Sequence, residues 1–149
     1  MGLYTGTRTL TCTKDEVAVW CRAQDDFYYT IFNNNTNAAA VTNMFASYGS
    51  ATIALVFSSV LSGPAAIGLG VFGLLTTLNS TERQNAYNDA SRGYVELLKT
   101  RNMMTEFKAV KVNFTLKTNI IRWGTNNDMD YAKSCTVNWY QLADGTKIQ

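Results

Sequence analysis

Residues 4–13 alternate strictly, with Thr5, Thr7, Thr9, Thr11 and Thr13 on one side and Arg8, Leu10 and Cys12 on the other. A period of two predicts a strand with one solvated face. The next stretch admits two readings. Val17, Val19 and Cys21 continue the alternation, whereas Thr13-x-x-Glu16 is a capping box that would open a helix burying Val17, Trp20 and Cys21. The aromatic and β-branched run at 27–32, placed after Gln24, Asp25 and Asp26, favours the strand reading, with 27–32 as the second arm of a hairpin.

From residue 33 the pattern changes. An Asn-rich loop at 33–37 supplies capping side chains for a helix over 38–48, where Val41, Met44, Phe45 and Tyr48 recur at helical spacing. Two apolar arms follow across 51–78, interrupted by Gly63-Pro64, a dipeptide that breaks or bends structure. Asn79-x-x-Glu82 then opens an amphipathic helix to about residue 104, with Ala86, Ala90, Tyr94, Leu97, Leu98 and Met104 inward and an Arg92/Glu96 pair on its polar face.

The period returns to two after Lys108. Val110, Val112, Phe114 and Leu116 alternate with Lys111, Asn113, Thr115 and Lys117, and 119–123 extends or bends this strand. A polar loop is expected at 126–133, then a last strand carrying Cys135, Val137 and Trp139, then a turn at Asp144-Gly145. The order strands, helices, strands predicts one α+β domain over 1–149, in which N- and C-terminal strands share an antiparallel sheet. Its parts are N-terminal strands at 1–35, a helical insertion at 36–104 holding an apolar helical hairpin at 51–78, and C-terminal strands at 105–149.

The apolar hairpin is the unusual feature, because residues 27–81 carry no Asp, Glu, Lys or Arg although charged types make up 16% of the chain. A core helix of a globular protein ordinarily shows a charged solvent face; these arms show only Ser and Thr there. Ile53, Leu55, Val56, Phe57, Val60, Leu61, Ile67, Leu69, Val71, Phe72, Leu74 and Leu75 are therefore the expected membrane-inserting side chains, with Gly63 and Pro64 as the hinge. Ser62, Ala66, Gly70 and Gly73 form a stripe of small residues suited to close helix packing, in a soluble core or in lipid. Each arm is too short to cross a bilayer, whereas 51–78 as one kinked helix would be long enough. Gly68-x-Gly70-x-x-Gly73 matches a dinucleotide fingerprint by letter only, since it lies inside the apolar run rather than at a strand-to-helix turn. The arms resemble the buried hydrophobic hairpin of pore-forming colicin-type toxins, at shorter length. That resemblance is confined to 51–78 and implies a hairpin that opens on meeting a bilayer.

Composition narrows the alternatives. A net charge of +2 with scattered Lys and Arg argues against nucleic acid as a partner. The chain has no His, and its acids are scattered, so neither a catalytic pair nor a metal or cofactor site is expected. Asn126-x-Asp128-x-Asp130 begins like a calcium loop but has Tyr131 where Gly is needed and Val137 where Glu is needed. Cys12, Cys21 and Cys135 lack metal-site spacing; a Cys12–Cys21 or Cys21–Cys135 disulfide would suit a secreted protein, the compartment to which low charge and abundant Thr, Asn and Tyr point. No signal peptide opens the sequence, so a leader is expected to have been removed or replaced. The leading expectation is a secreted, membrane-active protein of the bacteriocin or pore-forming toxin type, acting on the lipid bilayer of a target cell. The alternative is a self-assembling structural subunit, a homo-oligomer whose hairpins pack against one another.

Overall fold

Thr13 and Glu16 resolve the first ambiguity in favour of the helix. In the computed structural model, which describes residues 2–32, 37–59, 63–123 and 127–149, the Thr13 amide donates to Glu16 Oε1 (2.9 Å) and the Glu16 amide to Thr13 Oγ1 (3.2 Å). That capping box satisfies two otherwise orphaned donors and converts strand β1 (Gly2–Thr13) directly into helix α1 (Lys14–Phe32). The expected strands over 14–32 are thus replaced by a helix that buries Val17, Trp20, Cys21, Gln24, Phe27 and Ile31 along one face. The β-propensity of 27–32 loses because these rings find partners only from a helix: Phe27 packs on Tyr131 (4.8 Å between centroids) and on Phe57 (5.4 Å).

Four more helices follow in the described chain: α2 (Ala38–Ala46), α3 (Ser50–Phe57), α4 (Pro64–Leu75) and α5 (Ser80–Phe107). The helical part therefore begins at Lys14 rather than 36, and β1 is the sole strand before it. α5 starts on the expected box, with the Glu82 amide donating to Asn79 Oδ1 (2.8 Å) and the Asn79 amide to Glu82 Oε1 (3.1 Å). It ends at Lys108, which adopts the left-handed conformation (φ 58°) that turns the chain into β2 (Ala109–Trp123). The expected Arg92/Glu96 pair is not formed: Arg92 reaches Asp89 (3.5 Å), and the Glu96 carboxylate accepts from the Cys135 amide (3.2 Å).

β3 (Asn127–Leu142) is longer than the alternation implied, because residues 127–133, expected as a loop, pair with the far end of β2. Met129, Asp130, Tyr131 and Ala132 are buried in one unbroken run there, which erases any polar–apolar alternation. A turn with Gly145 in the left-handed region (φ 91°) leads into the short β4 (Lys147–Ile148). The sheet is antiparallel in the order β1-β2-β3-β4, so the N-terminal strand lies beside the C-terminal ones as the α+β reading required.

α1 and α5 pack on each other, and α5 lies along β3. The closest approach is at Gly93, where an added Cβ would drive into the carbonyl of Ala132. Beside it, the buried Gln24 Nε2 donates to Ala132 O (2.8 Å) and Ala90 O (3.1 Å), tying α1, α5 and β3 together. Alanine is the better helix former by about 1 kcal/mol, yet Gly93→Ala is expected to destabilise the protein by about 2 kcal/mol or more, because two backbones must separate. The shift of the urea midpoint measures this; a stabilised variant would show that α5 can move off β3 freely.

Candidate functional site

In the described part of the charge-free stretch, the helix expected over 38–48 forms as α2 and the two apolar arms form as α3 and α4. Asn37 caps α2, its Oδ1 accepting from the Ala40 amide (2.9 Å), and α2 buries Val41, Met44 and Phe45. The chain then bends by 108° into α3. Ser58 ends α3 in the left-handed conformation (φ 52°), and Pro64 occupies the first position of α4, where its missing N–H costs nothing. Residues 51–78 are consequently not one kinked helix: α3 ends at Phe57, capped by Ser58, and α4 begins at Pro64.

Of the side chains expected to enter lipid, Ile53, Val56, Phe57, Ile67, Val71, Leu74 and Leu75 are buried in the common core. Leu55 and Phe72 are half-buried and pack against it. Leu69 is 63% exposed. Val60, Leu61 and Ser62 lie outside the described residues. Among the small residues, Gly70 sits beneath the indole of Trp123 and Gly73 is half-buried, while Ala66 is exposed. α4 packs principally on α2, where a Cβ at Gly68 would stand 2.9 Å from Thr42 Cα. The helix that the glycines admit closely is therefore α2, not the other apolar arm.

Two anchors hold these helices to the framework. Phe27 of α1 meets Phe45 of α2 (6.5 Å) and Phe57 of α3 (5.4 Å), and those two rings meet edge to face (5.3 Å). Arg8, the one charge on β1, turns inward across the Trp20 ring (5.1 Å) and donates to Leu55 O (2.7 Å) and Val56 O (3.3 Å). Those carbonyls close α3, where a helix carries partial negative charge, so a guanidinium there satisfies acceptors and the dipole together. Asp130, buried in β3, is within electrostatic reach of Arg8; burial pushes its carboxyl pKa up, and the Arg8 charge pulls only part of the way back. Asp128, its neighbour in the supposed calcium loop, pairs instead with Arg122 (3.3 Å). No group of three or more metal-ligating side chains occurs among the described residues.

Arg8, Asp130, Gln24 and Gly93 were not singled out by sequence. Each looked ordinary: one Arg in a Thr strand, one Asp in a polar run, one Gln before two Asp, one Gly in a long helix. Arg8 and Gly93 carried a signal, a polar or minimal residue on a face that periodicity turns inward, whereas Gln24 fell in an expected turn and Asp130 in an expected polar loop.

The cysteines are free and buried. Burial pushes the Cys12 thiol up to about 12 and those of Cys21 and Cys135 to about 11. No protein-family model, curated protein or solved structure matches the chain.

Two measurements follow from these environments. With so little thiolate, the native protein should react slowly with a disulfide reagent at mildly alkaline pH, and all 3 cysteines should react rapidly once it is denatured without reductant. One reactive equivalent would instead reveal a bridge. For Asp130, a folded-state pKa above the unfolded one means that its contribution to stability is fullest below the ordinary carboxylate range and is lost as pH rises through the raised value. Asp130→Asn removes that titration, so the variant should gain stability relative to wild type as pH rises above the ordinary carboxylate range. A difference that stays constant through that rise would mean that the carboxyl is as well solvated in the fold as in the unfolded chain.

Proposed function

We propose that this is a secreted, membrane-active protein of the bacteriocin or pore-forming toxin type, whose apolar helices leave the sheet and enter the lipid bilayer of a target cell. The observation that carries the reading is α4, a surface helix without a polar face. Its sequence, PAAIGLGVFGLL, contains no polar side chain, and Ala65, Ala66 and Leu69 point to solvent. A helix stabilised only as part of a soluble core would gain from charge on those positions, and in hydrocarbon each charge would cost several kcal/mol, about 2.5 or more at mid-bilayer.

Length gives the proposal a more specific form. No single helix among the described residues is long and apolar enough to cross a membrane, but α2 and α3 pass by length and composition as a pair bent at 108°. Straightened through Ser47, Tyr48 and Gly49, a helix from 38 to 57 would run roughly 30 Å, the thickness of a hydrocarbon core. The inserting unit is then α2–α3, with α4 as the first contact with lipid. Opening requires Arg8 to release the end of α3, Phe27 to part from Phe45 and Phe57, and the Tyr48 hydroxyl to give up Asp26, losses that the bilayer interior would offset by accepting the freed apolar surface.

Dye release from liposomes tests this. Wild type at micromolar concentration should empty anionic vesicles, and Leu69→Asp, altering an exposed side chain that leaves the fold intact, should reduce release by about tenfold or more. Vesicles that stay sealed from acidic to neutral pH, in anionic and zwitterionic lipid alike, sink the proposal, as does full activity in a folded Leu69→Asp variant.

A further inference from the structure

β1 ends the sheet, paired with β2 from Gly2 to Thr13 and, among the described residues, with no strand on its other side. An edge of this kind offers a row of free N–H and C=O groups, and proteins that remain monomeric blunt such rows with Lys, Pro, bulges, short strands or inward-pointing charges. Of these β1 has only the inward-pointing Arg8. It is 12 residues long, lacks Pro and Lys, and runs against β2 without a register shift. Its single charge is turned away into the carbonyls of Leu55 and Val56. The opposite side of the sheet is treated differently: β4 covers Tyr140 and Gln141, and α5 lies along β3.

We infer that the free edge of β1 binds the same edge of a second copy of this chain, antiparallel about a two-fold axis, to form one continuous sheet. A two-fold contact must be self-complementary, and this edge is. Thr5, Thr7, Thr9, Thr11 and Thr13 are all exposed on one face, so continuing the sheet with its polar face outward places Thr opposite Thr. The same pairing already exists inside the sheet, where the Thr9 and Thr115 hydroxyls stand 3.1 Å apart. The strand itself carries no outward charge to repel its own copy, and the exposed lysines of the Thr face, Lys111 and Lys117, stand one strand in, opposite Thr13 and Thr7. Exposed Leu3 and Tyr4, at the start of the strand, would be covered as well. The inference stands on the sheet alone and is independent of membrane activity.

Sedimentation and hydrogen exchange on the full chain decide it. Wild type should sediment as a dimer at high micromolar concentration, with the outward amides of β1 exchanging as slowly as those of β2. Thr7→Lys/Thr11→Lys, which places like charges across the two-fold at exposed positions, should sediment as a monomer and melt where wild type melts at concentrations low enough to dissociate it. A wild type that stays monomeric at millimolar concentration overturns the inference, and so does rapid exchange along β1 in the dimer. A dimer that survives the two lysines but is lost in Leu69→Asp would place the interface on α4 and overturn it equally.

Discussion

The contact between α5 and β3 at Gly93 is the constraint on which the other elements depend. A helix normally stands about 10 Å from a sheet, kept there by side chains on both surfaces. Here one position lacks a side chain, the helix backbone settles onto Ala132, and the amide of Gln24 binds carbonyls on both elements. Burying that amide carries a penalty, since Gln24 Oε1 finds no partner among the described residues. What it secures is position. With α1 fixed against α5 and β3 at Gln24, Phe27 one turn later is fixed too, and with it the ring cluster that receives α2 and α3.

The chain thus divides by kind of interaction rather than by layer. The framework of α1, α5 and the sheet is specified by directional contacts: two capping boxes, the Gln24 bridge and the Asn119 amide, which donates to Tyr131 (3.0 Å) and Asp89 (2.9 Å). α2, α3 and α4 are held almost wholly by apolar burial and close packing, with Arg8 as the main polar tie to the sheet. Apolar contact is non-directional and can be exchanged for contact with another apolar phase, whereas a buried hydrogen-bond network cannot. That contrast is the physical basis for proposing that the three helices move while the sheet, with its open β1 edge, stays fixed.

Several elements could be read directly from residue order. β1 and the near half of β2 alternate because one face is solvated, and α5 announces itself by Asn79, Glu82 and the Ala86–Ala90 spacing. α1 was misread because two local signals disagreed. Val17, Val19 and Cys21 fit a strand, and Thr13 with Glu16 fits a helix start; tertiary packing chose the helix, since only that period brings Trp20, Gln24, Phe27 and Ile31 to one side. The first half of β3 was hidden for the converse reason. Its Asn and Asp residues look like loop, and strand structure there is imposed by pairing with β2. Of the candidate site, the apolar residues were legible, but which helix each would face was not: Gly68 meets α2 and Gly70 meets Trp123, across more than fifty residues of sequence in the latter case.

By itself, then, the sequence determined what depends on neighbours within a few residues: the strand periodicity of β1 and β2, the start of α5, the absence of charge from 27 to 81, and from their order an α+β sheet joining both ends of the chain. Tertiary structure alone decided α1, the far half of β3, the 108° bend between α2 and α3, the burial of free thiols, and the inward turn of Arg8 to the end of α3. These depend on close approach between segments far apart in sequence, where a missing side chain at Gly93 or a donor at Gln24 acquires meaning only from the backbone it meets.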